Sequence, residues 1–443
     1  MQPDNNYILE KILESNGVSI DSRKLNQGEV FIALKGPNFD GNKYIPEVLA
    51  NGAALAISSD AKYLDHPNVI VVKDTLLTLQ NIANLYRQRY QIPVIAITGT
   101  NGKTTTKEIL YQLLSKKFNV LKTEGNLNNH IGVPLMLLKL KEDHQMAIIE
   151  MGASKVGDIE ELCNIAEPTH GLITSIGKAH ISGFGSFENI IKTKTELADF
   201  LCNRNSVFFM NKNIKPIKYL LELYENTGCL IYYDESKMNG NTIMSLNLKN
   251  NNTSIDFDLV TTNNDVLNVK TKIYGNYNFD NIVNSIKIAD YFGVNTIDII
   301  TAIENFESSD NRSQVVEWKT NTLIMDAYNA NPTSMKHAIE SFDKIKNDGR
   351  SKILILGDML ELGTESVTEH VGLIESILES NQYKKIFLIG NEFVTAVKKI
   401  KNIPENLVVR NDKNNIKDMV NSLENNLVLV KGSRGIQLEK LFL

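Results

Sequence analysis

Apolar residues along this chain fall into short blocks separated by polar segments. Val30–Leu34, Ala54–Ile57 and Val69–Val72 are short apolar runs of four or five residues, so they predict strands. The helical stretch Leu76–Gln91 follows, and Pro93 ends it by blocking helical geometry in the residue before it. A second series opens with VIAIT, a glycine-bearing loop and the amphipathic stretch KEILYQLLSKKF. Further buried-strand candidates lie at Ala147–Glu150, Gly171–Ile176, Ser206–Met210 and Cys229–Tyr233. Short apolar strands alternating with helices predict a parallel sheet covered on both faces. Between 240 and 272 the pattern alternates (SLNLKNNNTSIDFDLV), which predicts antiparallel strands. From 309 onward TLIMD, KILILG, KIFLIG, NLVVR and NLVLVKG are spaced by helical stretches such as SMKHAIESF and EHVGLIESILES, a second doubly wound unit.

The expected fold class is therefore α/β in three domains. Residues 1–90 form a small mixed α/β domain, 91–308 a central P-loop-type domain with a mainly parallel sheet, and 309–443 a C-terminal Rossmann-like domain. A chain of 443 residues fits roughly two to four cores. Its net charge of −5 argues against nucleic acid as the main partner. The start, MQPDNNYILEKILE, lacks a basic segment followed by an apolar run, and no stretch approaches ~18 uninterrupted apolar residues. Neither a secretory signal nor a membrane span is expected. Cys163, Cys202 and Cys229 show no CxxC spacing; this odd, sparse set fits reduced thiols and a cytoplasmic location better than a disulfide framework.

Candidate chemistry begins at Ile97-Thr98-Gly99-Thr100-Asn101-Gly102-Lys103-Thr104-Thr105-Thr106, between a predicted strand and a predicted helix. Glycines let a backbone bend around phosphate oxygens, and a helix N-terminus offers unpaired N–H groups and a positive dipole end. Lys103 is placed to reach β- and γ-phosphates and the Thr104 hydroxyl to bind Mg²⁺. The match to GxxxxGK[ST] is incomplete, because Ile97 occupies the first glycine position and Gly99 lies inside the loop. A glycine turn before a Thr-capped helix is the plainer alternative; the strand–loop–helix context favours a nucleotide.

The strand AIIE delivers Glu150 at its C-terminal end, and GLITSIG runs into Lys178-Ala179-His180. Ligands of open α/β sheets bind at the C-terminal strand ends, so Glu150 and His180 are candidates to converge on the phosphates. A carboxylate suits Mg²⁺, and an imidazole is a less usual ligand. Lys192 and Lys194, taken alone, read as a solvated basic helix face.

These residues belong to a larger set. DSRKLNQGEVFIALKG, TGTNGKTTTKE, EGNLNNHIGVPL, IIEMGAS, KAHISGFGSFENIIKTKTEL, GNYNFDNIVNS, MDAYNANPTSM, LGDMLELG and VKGSRG occur in this order, and with them the chain resembles the Mur ligases of peptidoglycan assembly over essentially its whole length. YNANP, GDMxELG and VKGSR point to the branch that adds D-alanyl-D-alanine to a UDP-N-acetylmuramoyl-tripeptide. The resemblance implies a uridine-substrate domain, a central ATPase domain and a closing C-terminal domain, with ATP and Mg²⁺ as cofactors and a monomeric chain. It implies that Thr98, Gly99, Thr100, Asn101, Gly102, Lys103, Thr104 and Thr105 hold the nucleotide phosphates, and that Asn281, Arg312 and Asp326 also face the nucleotide. Thr104, Glu150 and His180 would hold magnesium. Lys194 aligns with a lysine that some members carry as an N-carbamate, an additional metal ligand. Ser22 and Arg23 would lie near the uridine diphosphate, and Asn128 and Asn129 near the acyl substrate. Asn329, Asn331, Lys431 and Arg434 would lie near the incoming dipeptide or the reaction centre. Tyr277 stands where the family motif has histidine, and Asn311 precedes Arg312 where the family has glycine.

Two rivals remain at this point. A sibling ligase adding one amino acid, such as a folylpolyglutamate-type enzyme, is disfavoured by the uridine-type N-terminal segment and by YNANP in place of a DNPR motif. A P-loop ATPase switch would leave Glu150, His180 and Lys194 without a common role.

Overall fold

The computed structural model describes residues 4–177, 181–249, 254–308, 311–346, 349–360 and 362–443. Three α/β units follow one another along the chain. In the first, strands Val18–Ser19, Val30–Ile32, Leu55–Ser58 and Val69–Val71 form a parallel sheet in that order. Helix Asn5–Leu13 closes one face through Ile8 and Ile12, and helix Ile45–Ala50 closes the other through Ile45 and Val48.

Helix Thr75–Gln88 starts where the Asp74 carboxylate accepts from the Leu76 and Leu77 amides, satisfying two of the helix's unpaired donors. It joins the first unit to the second. Leu79 and Ile82 pack into the first core, whereas Ala83 and Tyr86 belong to the next. The buried Arg87 guanidinium donates to the Ala166 and Glu167 carbonyls of the central unit, and Tyr86 Oη donates to the Leu140 carbonyl.

The central unit is a six-stranded parallel sheet ordered Leu230–Tyr233, Val207–Asn211, His170–Ile173, Val94–Thr98, Met146–Glu150 and Val120–Lys122. Its inner strands are buried along their length because helices cover both faces. Alternation divides each strand between two cores. Val94, Ala96, Ala147 and Ile149 face one, and Ile95, Ile97, Met146 and Ile148 face the other. An antiparallel sheet, Ile243–Lys249, Asp256–Thr261 and Val266–Lys270, flanks the second core, as the alternating pattern predicted.

The third unit orders its strands Gln314–Trp318, Asn321–Asp326, Asn426–Lys431, Ser351–Gly357, Lys385–Ile389 and Leu407–Arg410. All pair in parallel except the antiparallel edge strand Gln314–Trp318, which the sequence pattern did not reveal. Asp326 pairs in register with Lys431, so two charged candidates meet at adjacent C-terminal strand ends.

One expectation is corrected. Cys202, closing helix Phe187–Cys202, and Cys229, preceding strand Leu230–Tyr233, are joined in a disulfide. Folding brings their Cα atoms to 5.2 Å although 27 residues separate them. Cys163 is a buried free thiol. Among the described residues no helix is long and apolar enough to cross a membrane.

Candidate active site

A cavity of about 770 Å³ lies between the central and C-terminal units, at the C-terminal ends of their strands. Its floor is the loop that leaves strand Val94–Thr98. Gly99 and Gly102 adopt φ of 146° and 84°. A Cβ on Gly99 would lie 2.2 Å from Thr174 Oγ1, and one on Gly102 would lie 2.4 Å from Asn281 Oδ1, so other residues meet both strain and collision. The loop is tied down by the Thr100 amide donating to the Ser175 carbonyl (2.9 Å), the Asn101 amide to Ser175 Oγ (2.9 Å) and Thr174 Oγ1 to the Asn101 carbonyl (2.6 Å).

Helix Lys103–Leu114 follows, and no side chain caps its N-terminus. Its first N–H groups and dipole are left for an anion. Thr104 and Thr105 line the cavity. Lys103 Nζ donates to the Gly99 (2.6 Å) and Thr100 (3.2 Å) carbonyls, which curls its charge over the loop. Burial lowers its pKa, with the Glu150 charge opposing that shift. Thr98 does not reach the cavity: it is fully buried and its hydroxyl donates to the Met151 carbonyl.

Glu150 ends strand Met146–Glu150 with 2% exposure. Oε1 accepts from Asn128 Nδ2 at 2.8 Å, whereas Oε2 is buried without a hydrogen bond and lies 3.5 Å from Lys107 Nζ. A buried carboxylate oxygen without a hydrogen bond, in a cavity also lined by Thr104 and the phosphate-type loop, fits a hard divalent cation. Lys194 also faces this cavity. It is buried on helix Phe187–Cys202, while Lys192 is exposed, so the solvated-face reading holds for Lys192 and fails for Lys194. Desolvation, reinforced by the Lys103 charge, lowers the Lys194 pKa to about 7. His180 lies outside the described residues.

The C-terminal unit supplies the opposite wall. The Arg312 guanidinium stacks 3.4 Å from the Tyr328 ring centroid, and that of Arg434 lies 5.1 Å from the same ring. Asp326 Oδ2 accepts from Lys431 Nζ at 2.6 Å and Oδ1 accepts from the Ser313 amide at 3.0 Å. Lys431 also donates to the Asn329 carbonyl. Asp326 and Lys431, expected on different substrates, are thus partners of each other. Asn331 caps helix Pro332–Asp343 through a capping box, and its Nδ2 donates to Asn101 Oδ1 at 2.8 Å. That bond fastens the C-terminal unit directly to the phosphate loop.

The chain matches three family models along its length: Mur ligase family, catalytic domain, over residues 14–99; Mur ligase middle domain over 97–289; and Mur ligase, glutamate ligase domain, over 311–434. It is 32% identical to the UDP-N-acetylmuramoyl-tripeptide–D-alanyl-D-alanine ligase of Bacillus subtilis (strain 168), covering 96% of this chain and 92% of that protein. The chain belongs to the Mur ligase family. Among solved structures, a crystal structure of MurF from Acinetobacter baumannii superposes with a TM-score of 0.82 at 29% identity, covering 96% of this chain and 92% of that one. MurF ligase from Thermotoga maritima in complex with ADP superposes with a TM-score of 0.79 at 27% identity, covering 96% and 95%.

Within this Mur ligase, the expected nucleotide residue Asn281 is buried at the loop: Oδ1 accepts from Thr106 Oγ1 (3.1 Å) and Nδ2 donates to Asn278 (2.8 Å). Tyr277, in the place of the family histidine, lines the cavity and pairs its hydroxyl with Ser313 Oγ at 2.7 Å. Asn129 lines the cavity while its Oδ1 accepts from the Ile131 and Gly132 amides. Ser22 and Arg23 are absent from the cavity lining; Arg23 is exposed in the N-terminal unit and held by Asp21 at 2.9 Å, beside an exposed Phe39–Tyr44 stack.

The GDMLELG motif acts on the site through the backbone. The Asp358 carboxylate accepts from the Glu392 and Phe393 amides, and the Asp358 carbonyl accepts from the Ser433 amide (3.2 Å). Ser433 Oγ in turn accepts from the Leu360 amide, so this loop fixes the turn carrying Arg434. Sequence reasoning missed Tyr328, His130 and His337 on the cavity lining and the buried Lys107 beside Glu150. Tyr328 lies inside YNANP, and Lys107 follows Lys103 by four residues, the helical same-face spacing.

Proposed function

We propose that this Mur ligase uses ATP to join D-alanyl-D-alanine to the C-terminal carboxylate of UDP-N-acetylmuramoyl-tripeptide. The observation that carries the reading is the one cavity in which the phosphate loop, the Glu150 carboxylate, the buried Lys194 and the C-terminal wall of Arg312, Asn329, Lys431 and Arg434 face one another. Identity of 32% to a UDP-N-acetylmuramoyl-tripeptide–D-alanyl-D-alanine ligase over almost the whole chain supports that substrate pair rather than a single amino acid.

The carboxylate attacks the γ-phosphorus of ATP, and the bond to the β-bridging oxygen breaks, giving an acyl phosphate and ADP. The dipeptide amine then attacks the acyl carbon, loses a proton, and inorganic phosphate leaves. Two anions must meet in the first step, so charge neutralisation dominates. Lys103 and the amides at the start of its helix hold the triphosphate. Thr104, Glu150 and Lys194, with His180, are the residues that would hold magnesium, which when bound shields the phosphoryl oxygens from the incoming carboxylate. Lys194, its pKa lowered to about 7 by burial, is suited to the carbamate that the family resemblance implies. Arg312 and Arg434 present charge from the other wall, and the Asn101–Asn331 bond holds the walls together, excluding water that would hydrolyse the acyl phosphate. Residues 1–90, with Ser22 and Arg23, would hold the uridine end. ATP as donor goes with a cytoplasmic place of action.

Incubating the protein with UDP-muramoyl-tripeptide, ATP, Mg²⁺ and D-alanyl-D-alanine should give a product heavier by the dipeptide less water in mass spectra. A product carrying one amino acid, or phosphate release without an amide, refutes the reading. Glu150→Ala should shift the magnesium titration to higher concentration; an unchanged titration removes Glu150 as a ligand.

A further inference from the structure

Lys107 has no role in the mechanism above, yet its side chain is only 1% exposed. It sits one turn beyond Lys103 on the helix leaving the phosphate loop. Its Nζ lies 3.3 Å from Glu108 Oε1 and 3.5 Å from Glu150 Oε2. The other oxygen of Glu108 is paired with Lys122, whose ammonium also lies over the Tyr111 ring at 4.2 Å. A line of alternating charge, Lys122–Glu108–Lys107–Glu150, thus runs from a half-buried edge of the helix to the cavity, and Asn128 closes it on the far oxygen of Glu150.

Burying an ammonium is costly unless opposite charge compensates it, and removing one partner of a buried pair leaves the other charge uncompensated, so Lys107 and Glu150 depend on each other. The placement of Lys107 says what that dependence serves. Asn128 donates to Oε1 of the strand-end carboxylate Glu150, and Lys107, from a different element, lies 3.5 Å from Oε2, which makes no hydrogen bond and stays free to take a metal ion. Groups behind a metal-ligating carboxylate fix its plane and orientation, and their removal characteristically costs roughly 10–100-fold in metal affinity.

We propose that Lys107 is a positioning residue that, with Asn128, holds the Glu150 carboxylate in the orientation that receives the metal ion. This rests on the reading of Glu150 as a ligand. The test is a Mn²⁺ titration by electron paramagnetic resonance, with a non-hydrolysable ATP analogue present, on the parent protein, Lys107→Met, Lys107→Arg and Glu150→Gln. Circular dichroism sets the folded fraction of each. Lys107→Met is expected to weaken Mn²⁺ binding about tenfold or more, and Lys107→Arg, which keeps the cation, to recover most of it. If Lys107→Met fails to fold, Lys107→Gln replaces it, with weakening in the same direction. Binding by the Met or Gln variant within threefold of the parent, or tighter binding from relief of cation repulsion, overturns the proposal while leaving Glu150 in place. Unchanged binding by Glu150→Gln overturns the ligand reading and this proposal together.

Discussion

Replacing Lys194 by methionine should make the protein more stable and destroy its activity. The side chain is 3% exposed, and burial with the Lys103 charge brings its pKa from 10.5 to about 7. Glu196 and Asp158 only partly oppose that shift. Between these two values the unfolded chain holds a proton that the folded chain has released, so stability rises with pH across the window. The penalty is full below pH 7, where both states are protonated, and disappears above about pH 10.5. Its size is about 5 kcal/mol at the acid end and about 3 kcal/mol at pH 8. Methionine has a similar length, keeps the contact with the Phe184 ring, 5.8 Å from the lysine nitrogen, and carries no charge to desolvate.

Scanning calorimetry of both proteins from pH 7 to 10, in bicarbonate-free buffer so that no carbamate forms, measures the difference. For a unit of about 200 residues, 3 kcal/mol corresponds to a rise in Tm of roughly 6–12 °C. The gap should shrink steadily toward pH 10, while ligation by Lys194→Met is lost at every pH. Equal or lower stability of the variant at pH 7, or a gap that ignores pH, would refute the claim that this lysine is held against its own desolvation. A stabilised, inactive variant is what a functional group placed at the expense of the fold produces.

Lys103→Ala should lower kcat by roughly 10²–10³-fold in a coupled phosphate-release assay, the usual consequence of deleting one electrostatic contact to a transition state; a loss below tenfold removes Lys103 from charge neutralisation. Asn331→Ala deletes both a helix cap and the bond to Asn101, so the C-terminal unit should lose about 1 kcal/mol and KM for ATP should rise. An unchanged KM would mean that this bond plays no part in closure. Asp358→Ala should destabilise helix Asn391–Val397 by a similar amount and also lower kcat through the Ser433–Arg434 turn; lost stability with normal kcat would separate the GDM motif from the site.

The fold was legible where hydrophobic period and burial agree. VIAIT reads as a strand because both of its faces are covered, Val94 and Ala96 on one core and Ile95 and Ile97 on the other. Gln314–Trp318 escaped notice because it is a half-exposed edge strand in which Gln314 and Glu317 interrupt the apolar residues, and Val120–Lys122 because three residues make no pattern. The phosphate loop could be read because its chemistry is local, with glycines, lysine and threonine in one turn. Charge state and burial are not local. Lys192 and Lys194 lie two residues apart on one helix, and packing alone sends the second into the cavity. The same limit hid the Cys202–Cys229 bond and the pairing of Asp326 with Lys431, which only strand register reveals.

That pairing changes how the C-terminal wall works. Lys431 is 2% exposed and its charge is answered by Asp326 at 2.6 Å, so little of it is left for a substrate phosphate. Its placement makes it a brace: it donates to the Asn329 carbonyl as well, and so fixes the backbone on which YNANP is built. Arg312 and Arg434 are different. Both guanidinium groups rest against the same Tyr328 ring, at 3.4 and 5.1 Å, a contact that orients a cation without neutralising it. Arg312 Nε is buried with no hydrogen-bond partner, which leaves donor capacity for an anion at this wall. The central unit, by contrast, offers backbone amides and Lys103. An anion bound by one wall would therefore still leave positive charge unanswered on the other, and a substrate spanning the gap would answer both. In that sense a bound triphosphate would supply part of the force that holds the two units together, and the Asn101–Asn331 bond marks where they meet.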